Sequence, residues 1–210
     1  MRRSNRLPLE QLAPFLLDTP DPPAPLGWRA VFGDDHPVEL EVGFGKGLFL
    51  LSASQAHPEV NFVGVEIARK YQLFTATRIA KRGLCNVRLA RADARIFMRD
   101  RIGSQSLRAV HIYFPDPWWK KRHMKRRVFT TEFVGECSRV LRAGGHLHAV
   151  TDVQDYFGEM TRLVGEQPCF RQLAPPDSKE PSSDLDYLTN FERKFRKEGK
   201  PIYRASWERS

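Results

Sequence analysis

From Val38 onward the chain alternates short apolar runs with longer amphipathic ones, and this alternation constrains the fold more than any single motif. "VELEV", "NFVGVEI", "NVRLAR", "RAVHIYF" and "HLHAVTD" have the length and β-branched or aromatic content of strands. "KGLFLLSASQAH", "ARKYQLFTATRIAKR", "ARIFMRD" and "TTEFVGECSRVL" lie between them, and "YFGEMTRLVGE" follows, all with helical spacing. Phe133, Val134, Cys137, Val140 and Leu141 share one helical face, Gly83 is placed as a helix stop, and "AGG" as a turn. Strands and helices alternating at this period imply parallel βαβ units and an α/β fold with an open, doubly wound, mostly parallel sheet. Residues 1–37 hold seven of the fifteen prolines, including "TPDPPAP", and read as an irregular, proline-rich lead-in, basic at its start, to a domain at 38–210. "APPDSKEPSSD" reads as a polar loop, and "DYLTNFERKFRKEGKPIYRASWER" as closing the fold with one or two antiparallel strands.

Open sheets of this kind bind ligands beyond the carboxyl ends of their strands. The residues there are informative. "ELEVGFGKG" places Glu41 on the first strand and Gly43, Gly45 and Gly47 in the turn, where glycine permits positive φ and close approach of a ligand. A dinucleotide fingerprint needs glycine where Leu48 stands. The spacing acid-x-G-x-G-x-G instead suits S-adenosylmethionine, which presents an ammonium group, a ribose diol and an adenine. Glu66 ends the second strand and is suited to a ribose diol, and Asp93 follows the third and can meet an adenine amino group. Either acid alone could be a helix cap. In register on successive strand ends, they read as a methyl-donor site.

Asp116 follows the fourth strand, inside "FPDPWWKKRHMKRR". Pro117 keeps it out of the α region and Pro115 ends strand pairing, so backbone stiffness holds the carboxylate where an acceptor would sit. Trp118 and Trp119 either pack beneath it or stack on a base. Lys120 to Arg127 contains six Lys/Arg, which localises much of the net charge of +9 and points to a polyanion: nucleic acid first, an anionic membrane second. No apolar run is long enough to cross a membrane, and the N-terminus shows no secretion signal. Three cysteines without a C-x-x-C pair suggest reduced, cytoplasmic usage. His146 and His148 alternate along a strand, but no nearby cysteine completes a metal set. They read as buried structural histidines, and no metal is expected.

"LEVGFGKG", "VGVEI", "RADA", "IYFPDPWWKKRHMKRR", "AVTD" and "YLTNFE", in this order from Leu40 to Glu192, resemble the bacterial tRNA (guanine-N7-)-methyltransferases. "FPDPW" followed by "KKRHxKRR" is the most specific part. The resemblance implies an S-adenosylmethionine-dependent, Rossmann-like, cytoplasmic enzyme, monomeric or homodimeric, that methylates N7 of a guanine in the tRNA variable loop. It implies donor contacts from Glu41, Glu66 and Asp93, with Asp116 as the catalytic acid beside the methyl position. It also implies substrate contacts from Lys120, Asp152, Thr189, Asn190, Phe191 and Glu192, and RNA contacts from Arg122, His123, Lys125, Arg126 and Arg127. The chain departs from the family at Trp119, where a small polar residue or histidine is frequent, and in its short proline-rich lead-in. Three rival readings have features of their own. Exocyclic-amine methylation would want Asp-Pro-Pro-aromatic, but Trp118 follows a single proline. A non-enzymatic RNA-binding module would lack the donor acids, and a nicotinamide dehydrogenase would need another glycine spacing.

Overall fold

The computed structural model describes residues 6–17, 24–174 and 189–210. Most of "TPDPPAP" and all but the first residue of "APPDSKEPSSD" lie outside the described residues. Eight strands form one sheet: β1 (Leu16–Leu17), β2 (Val38–Val42), β3 (Asn61–Val65), β4 (Val87–Ala90), β5 (Leu107–Tyr113), β6 (Leu141–Thr151), β7 (Phe170–Gln172) and β8 (Tyr203–Arg209). Their order is β1-β4-β3-β2-β5-β6-β8-β7. The strands from β1 to β6 pair in parallel, and β8 runs antiparallel to both β6 and β7. The helices are α1 (Leu9–Leu12), α2 (Trp28–Phe32), α3 (Leu48–Ala56), α4 (Arg69–Ala80), α5 (Ala94–Arg101), α6 (Thr131–Val140), α7 (Gln154–Gly165) and α8 (Asn190–Lys197). The expected doubly wound, mostly parallel sheet is present.

The strand alternation decides what each face buries. On β2, Val38, Leu40 and Val42 join a core with Phe97 of α5, Phe133 and Val140 of α6 and Met160 of α7. The other face buries Phe49 and Leu50 of α3 and Leu73 and Ile79 of α4, together with Leu12. Each such fully buried side chain contributes on the order of 1.5–3 kcal/mol. Period two sends Glu39 and Glu41 toward the α3 side, and both are buried.

Two expectations need correction. The lead-in is not irregular throughout: residues 6–17 form α1, a 3-10 turn at Ala13–Phe15, and β1, which pairs with β4 through Leu16↔Leu89 and Leu17↔Ala90. Leu12 is fully buried. An uncovered β4 edge would present unpaired backbone groups, and this apolar segment satisfies them. These residues therefore belong to the same sheet as the strands of 38–210. "AGG" is not a turn either. It lies within β6, where the pairing jumps from Leu107↔Leu141 to Ala109↔His146, and Gly144 takes φ +71° in the resulting bulge.

Candidate active site at the carboxyl ends of the strands

The chain builds outward from β2 in both directions, so a crevice opens between β2 and β5. The ends of β4, β3, β2 and β5, in that spatial order, carry Asp93, Glu66, Glu41 and Asp116. In the loop after β2, Gly43, Gly45 and Gly47 have φ of +74°, +50° and +64°. The space a Cβ would take at Gly43 is open, whereas at Gly47 it would collide with the Thr75 side chain of α4. Glycine is needed at Gly47 for both conformation and packing. Glu66 ties the loop down: one carboxylate oxygen accepts the Gly45 N–H at 3.1 Å and the other the Ala68 N–H at 2.9 Å. Each oxygen retains a lone pair for a further donor.

Glu41 lies beneath this loop, 3% exposed, and its Oε2 has no hydrogen-bond partner among the described residues. Burial, and then the nearby Glu66 charge, push its carboxyl up to about 8, while the Leu50 N–H in the first turn of α3 pulls the other way. A buried acid with an open bonding position suits a cationic ligand, because its anionic form stays costly until a cation joins it. Asp93 has local partners already. It caps α5 by accepting the Arg95 N–H at 2.9 Å, and its other oxygen meets Arg95 Nη2 at 3.1 Å, which holds its carboxyl below the usual range. Any amino group it meets must share those oxygens. Ile67, beside Glu66, is 68% exposed. Its place in the run "NFVGVEI" hid it among core residues, yet it stands at the rim as an apolar face.

On the acceptor side, Phe114 (φ +50°) and Trp118 (φ +44°) bracket Pro115, Asp116 and Pro117. Non-glycine residues in this region cost about 1–3 kcal/mol each and persist only where the surroundings hold them. Here the Phe114 N–H donates to the Val150 carbonyl at 2.7 Å, and Arg127 Nε donates to the Pro117 carbonyl at 2.7 Å. The stiffness expected from the prolines is shared with two strained aromatics, and Asp116 is exposed between them. Trp118 packs against the chain, with its ring 5.7 Å from His123 and 5.1 Å from the Arg126 guanidinium. Trp119 is 67% exposed and offers a free face. Phe191 of α8 is also exposed, its ring 6.1 Å from Phe114.

The basic run forms a 3-10 helix, Lys121–Arg126. Lys120, Arg122, Lys125 and Arg126 are exposed and His123 is half-buried. Arg127 differs from the RNA-facing role expected of it. Its side chain is only 11% exposed, pairs with Glu159 of α7, and lies 4.8 Å over the Tyr156 ring. It anchors the Asp116 loop instead. Glu192, expected at the substrate, is 3% exposed and paired with Arg196 at 3.0 Å and Arg204 at 2.5 Å, joining α8 to β8. Thr189 caps α8 by accepting the Glu192 N–H at 3.1 Å, the first half of a capping box that "TNFE" spells out. Asn190 opens α8, and Asp152 lies half-buried just after β6.

A polar row beneath the site was not anticipated. The Tyr113 hydroxyl is 2.8 Å from His111 Nδ1, and His111 Nε2 is 2.8 Å from Glu39. The repeated E-x-E and H-x-Y spacing on adjacent strands was its signal. His148 stacks on His111 at 4.9 Å and bonds the Ser206 hydroxyl at 2.7 Å. Burial, then His111 and His146, push it down to about 3, so it is neutral. Among the described residues no group of three or more His, Cys, Asp or Glu is placed to hold a metal ion.

A sequence profile of the family described as "Putative methyltransferase" matches residues 35–205. A tRNA (guanine-N(7)-)-methyltransferase from Rhodopirellula baltica is 43% identical, covering 100% of this chain and 79% of the relative. The chain belongs to this family. A second member, from Geobacter metallireducens, is 34% identical over 93% of this chain and 92% of its own length. Among solved structures, a precorrin-6y C5,15-methyltransferase from Geobacter metallireducens superposes with a TM-score of 0.56 at 15% identity, covering 96% of this chain and 87% of the other. The antibiotic-resistance methyltransferase Kmr does so with 0.56 at 16%, covering 83% and 87%. At such identities these likenesses bear on the fold alone, and that fold is the Rossmann-like one of methyltransferases. No helix among the described residues is long and apolar enough to cross a membrane.

Within this family fold, Glu66→Ala removes a carboxylate that both ties the glycine loop and faces the rim. Donor affinity is expected to fall by tens-fold or more, the equivalent of about 1.5–3 kcal/mol for lost charge-assisted bonds. Affinity for RNA should change little. Calorimetry with the donor checks this, and an unchanged donor affinity would remove Glu66 from the site.

Proposed function

We propose that this chain transfers a methyl group from S-adenosylmethionine to N7 of a guanine in the variable loop of tRNA. The observation that carries the reading is the row of four acids on adjacent strand ends, closed by Asp116 in a strained loop beside the crevice. The site suits the donor: Glu41 offers a buried carboxylate with one unpartnered oxygen for the ammonium group, Glu66 a rim carboxylate for the ribose diol, and Ile67 an apolar face for the adenine. Asp93 lies where the adenine amino group would share its oxygens with Arg95. When bound, the donor supplies an electrophilic methyl group on sulfur.

The residues of this chain do the rest. Guanine N7 has a lone pair and no proton, so no side chain needs to act as a base. The protein must orient the base to within about 3–3.5 Å of in-line contact. Asp116 is suited to accept from the guanine N–H groups and to stabilise the positive charge the purine gains. Trp119 and Phe191 offer aromatic faces for an unstacked base. Lys120, Arg122, Lys125 and Arg126 neutralise phosphates. The test is transfer of labelled methyl from S-adenosylmethionine to bulk tRNA, followed by nucleoside analysis. Label in 7-methylguanosine supports the reading, and label in an exocyclic-amine product overturns it.

A further inference from the structure

The 3-10 helix is not the only concentration of positive charge. Between Glu66 and Asp93 the chain has no acidic residue and seven lysines and arginines. Five of them lie on or just after α4. Gln72, Leu73, Thr75, Ala76, Thr77 and Ile79 turn inward and are buried. That leaves Lys70, Phe74, Arg78 and Lys81 spaced i, i+4, i+8, i+11 along the outer face, with Tyr71 and Arg82 beside them. Cations and rings interleave: Lys70 Nζ lies 4.8 Å over the Tyr71 ring and the Arg78 guanidinium 5.8 Å over Phe74.

This arrangement is electrostatically unfavourable by itself. Arg69 and Lys70 occupy the first turn of α4, the positive end of the helix dipole, where acids are preferred and none is present. Among the described residues, Arg69, Lys70, Arg78 and Arg82 form no ion pair. Burial, followed by the neighbouring charges of Arg82 and Arg193, lowers the pKa of Arg78. A polyanion would relieve the repulsion that these four cations do not relieve through ion pairs among the described residues. The location is also specific. Arg78 Nη1 donates to the Lys46 carbonyl at 2.6 Å, so the stripe abuts the glycine loop. At its other end a groove of about 500 Å³ has Leu7, Leu9 and Leu73 along it and Arg6, Arg69 and Lys70 around it. α4 follows β3 and the 3-10 helix follows β5, so the two basic walls flank β2 and its crevice from opposite sides.

We propose that the outer face of α4, with Arg6 of the lead-in, is a second contact for the RNA sugar-phosphate backbone, so that the substrate is gripped on both sides of the crevice. This deepens the proposed function and rests on tRNA being the substrate. The rings of Tyr71 and Phe74 pack against sugar or base while the cations meet phosphates.

The test is the triple variant Arg69→Ala, Lys70→Ala, Arg82→Ala in the full chain, with tRNA affinity measured across a salt series. The expected result is affinity lower by tenfold or more at low salt and a salt slope flatter by about 0.7–0.9 per lost phosphate contact. Donor affinity and melting temperature should match the wild type, which separates a lost contact from a damaged fold. The loss should add to that of Arg122→Ala, Lys125→Ala, Arg126→Ala, because the two walls are separate. A triple variant with wild-type affinity and slope overturns the α4 contact, as does one that loses binding to anionic lipid vesicles but not to tRNA. If the wild type binds tRNA but places no methyl on guanine N7, the proposed reaction fails while the α4 contact is still decided by the binding data.

Discussion

Replacing Asp116 by alanine is expected to lower turnover by a factor on the order of a hundred or more, as for other preorganised electrostatic groups. The fold and the donor affinity should survive. The side chain is exposed, and the strain is held by Phe114, Trp118 and their partners rather than by the carboxylate. Most tRNA affinity should survive too, because it comes from phosphates. Asp116→Asn is expected to be poor as well, since an amide keeps the shape and loses the charge. At saturating donor, turnover should not follow a group titrating near neutrality, because N7 has no proton to surrender. A tRNA carrying 7-deazaguanine at the target should bind without being methylated. Near-normal turnover by the alanine variant would end the role given to Asp116, and methylation of the deaza substrate would overturn N7 as the acceptor.

The second large effect belongs to Glu41, and it runs in opposite directions for stability and binding. With a folded value of about 8 against an ordinary 4.5, folding favours the protonated carboxyl. Its contribution to stability is fully present below about 4.5 and is lost as pH rises toward about 8. Glu41→Gln cannot ionise. The unliganded variant should therefore gain stability over the unliganded wild type as pH rises from about 5 to 8, by about 2–4 kcal/mol in all, and level off above that. Donor binding should move the other way, weakening on the order of a hundredfold through loss of a buried charge partner. In the wild type, a cationic donor must expel the Glu41 proton below pH 8, so donor affinity should climb with pH to a maximum near 8, where the donor's own ammonium begins to lose its proton. Calorimetry in buffers of different ionisation enthalpy reads that proton directly. A stability difference independent of pH would show that Glu41 ionises normally.

What the sequence made legible follows from range. Strand ends are local features, so Glu41, Glu66, Asp93 and Asp116 could be placed on one rim from short patterns alone. A charge's partner is not local. Arg127 looked like its neighbours in the basic run, but Glu159, 32 residues later, turns it inward. Glu192 looked like a free acid until Arg204, from a strand beyond it, closed on it. The prolines around residues 8–25 hid a two-residue strand, because the edge it covers is made by β4, some seventy residues further on. The acid-free stretch of α4 is less legible because its five cations are spread over residues 69–82 and converge only on a helix face, whereas six crowd into 120–127.

The position of β8 bears on how the molecule is made. β6 and β7 both rely on it for pairing, through contacts such as Leu147↔Trp207 and Arg171↔Glu208. Among the described residues, a nascent chain therefore leaves β6 with one open flank, and β7 with no strand partner, until Tyr203–Arg209 has left the ribosome. Unpaired strand edges in partly synthesised chains invite association with other chains. A chain lacking Tyr203–Arg209 would leave the β6 edge open and prone to pair with other chains, so β8 acts as a clasp on that side of the sheet.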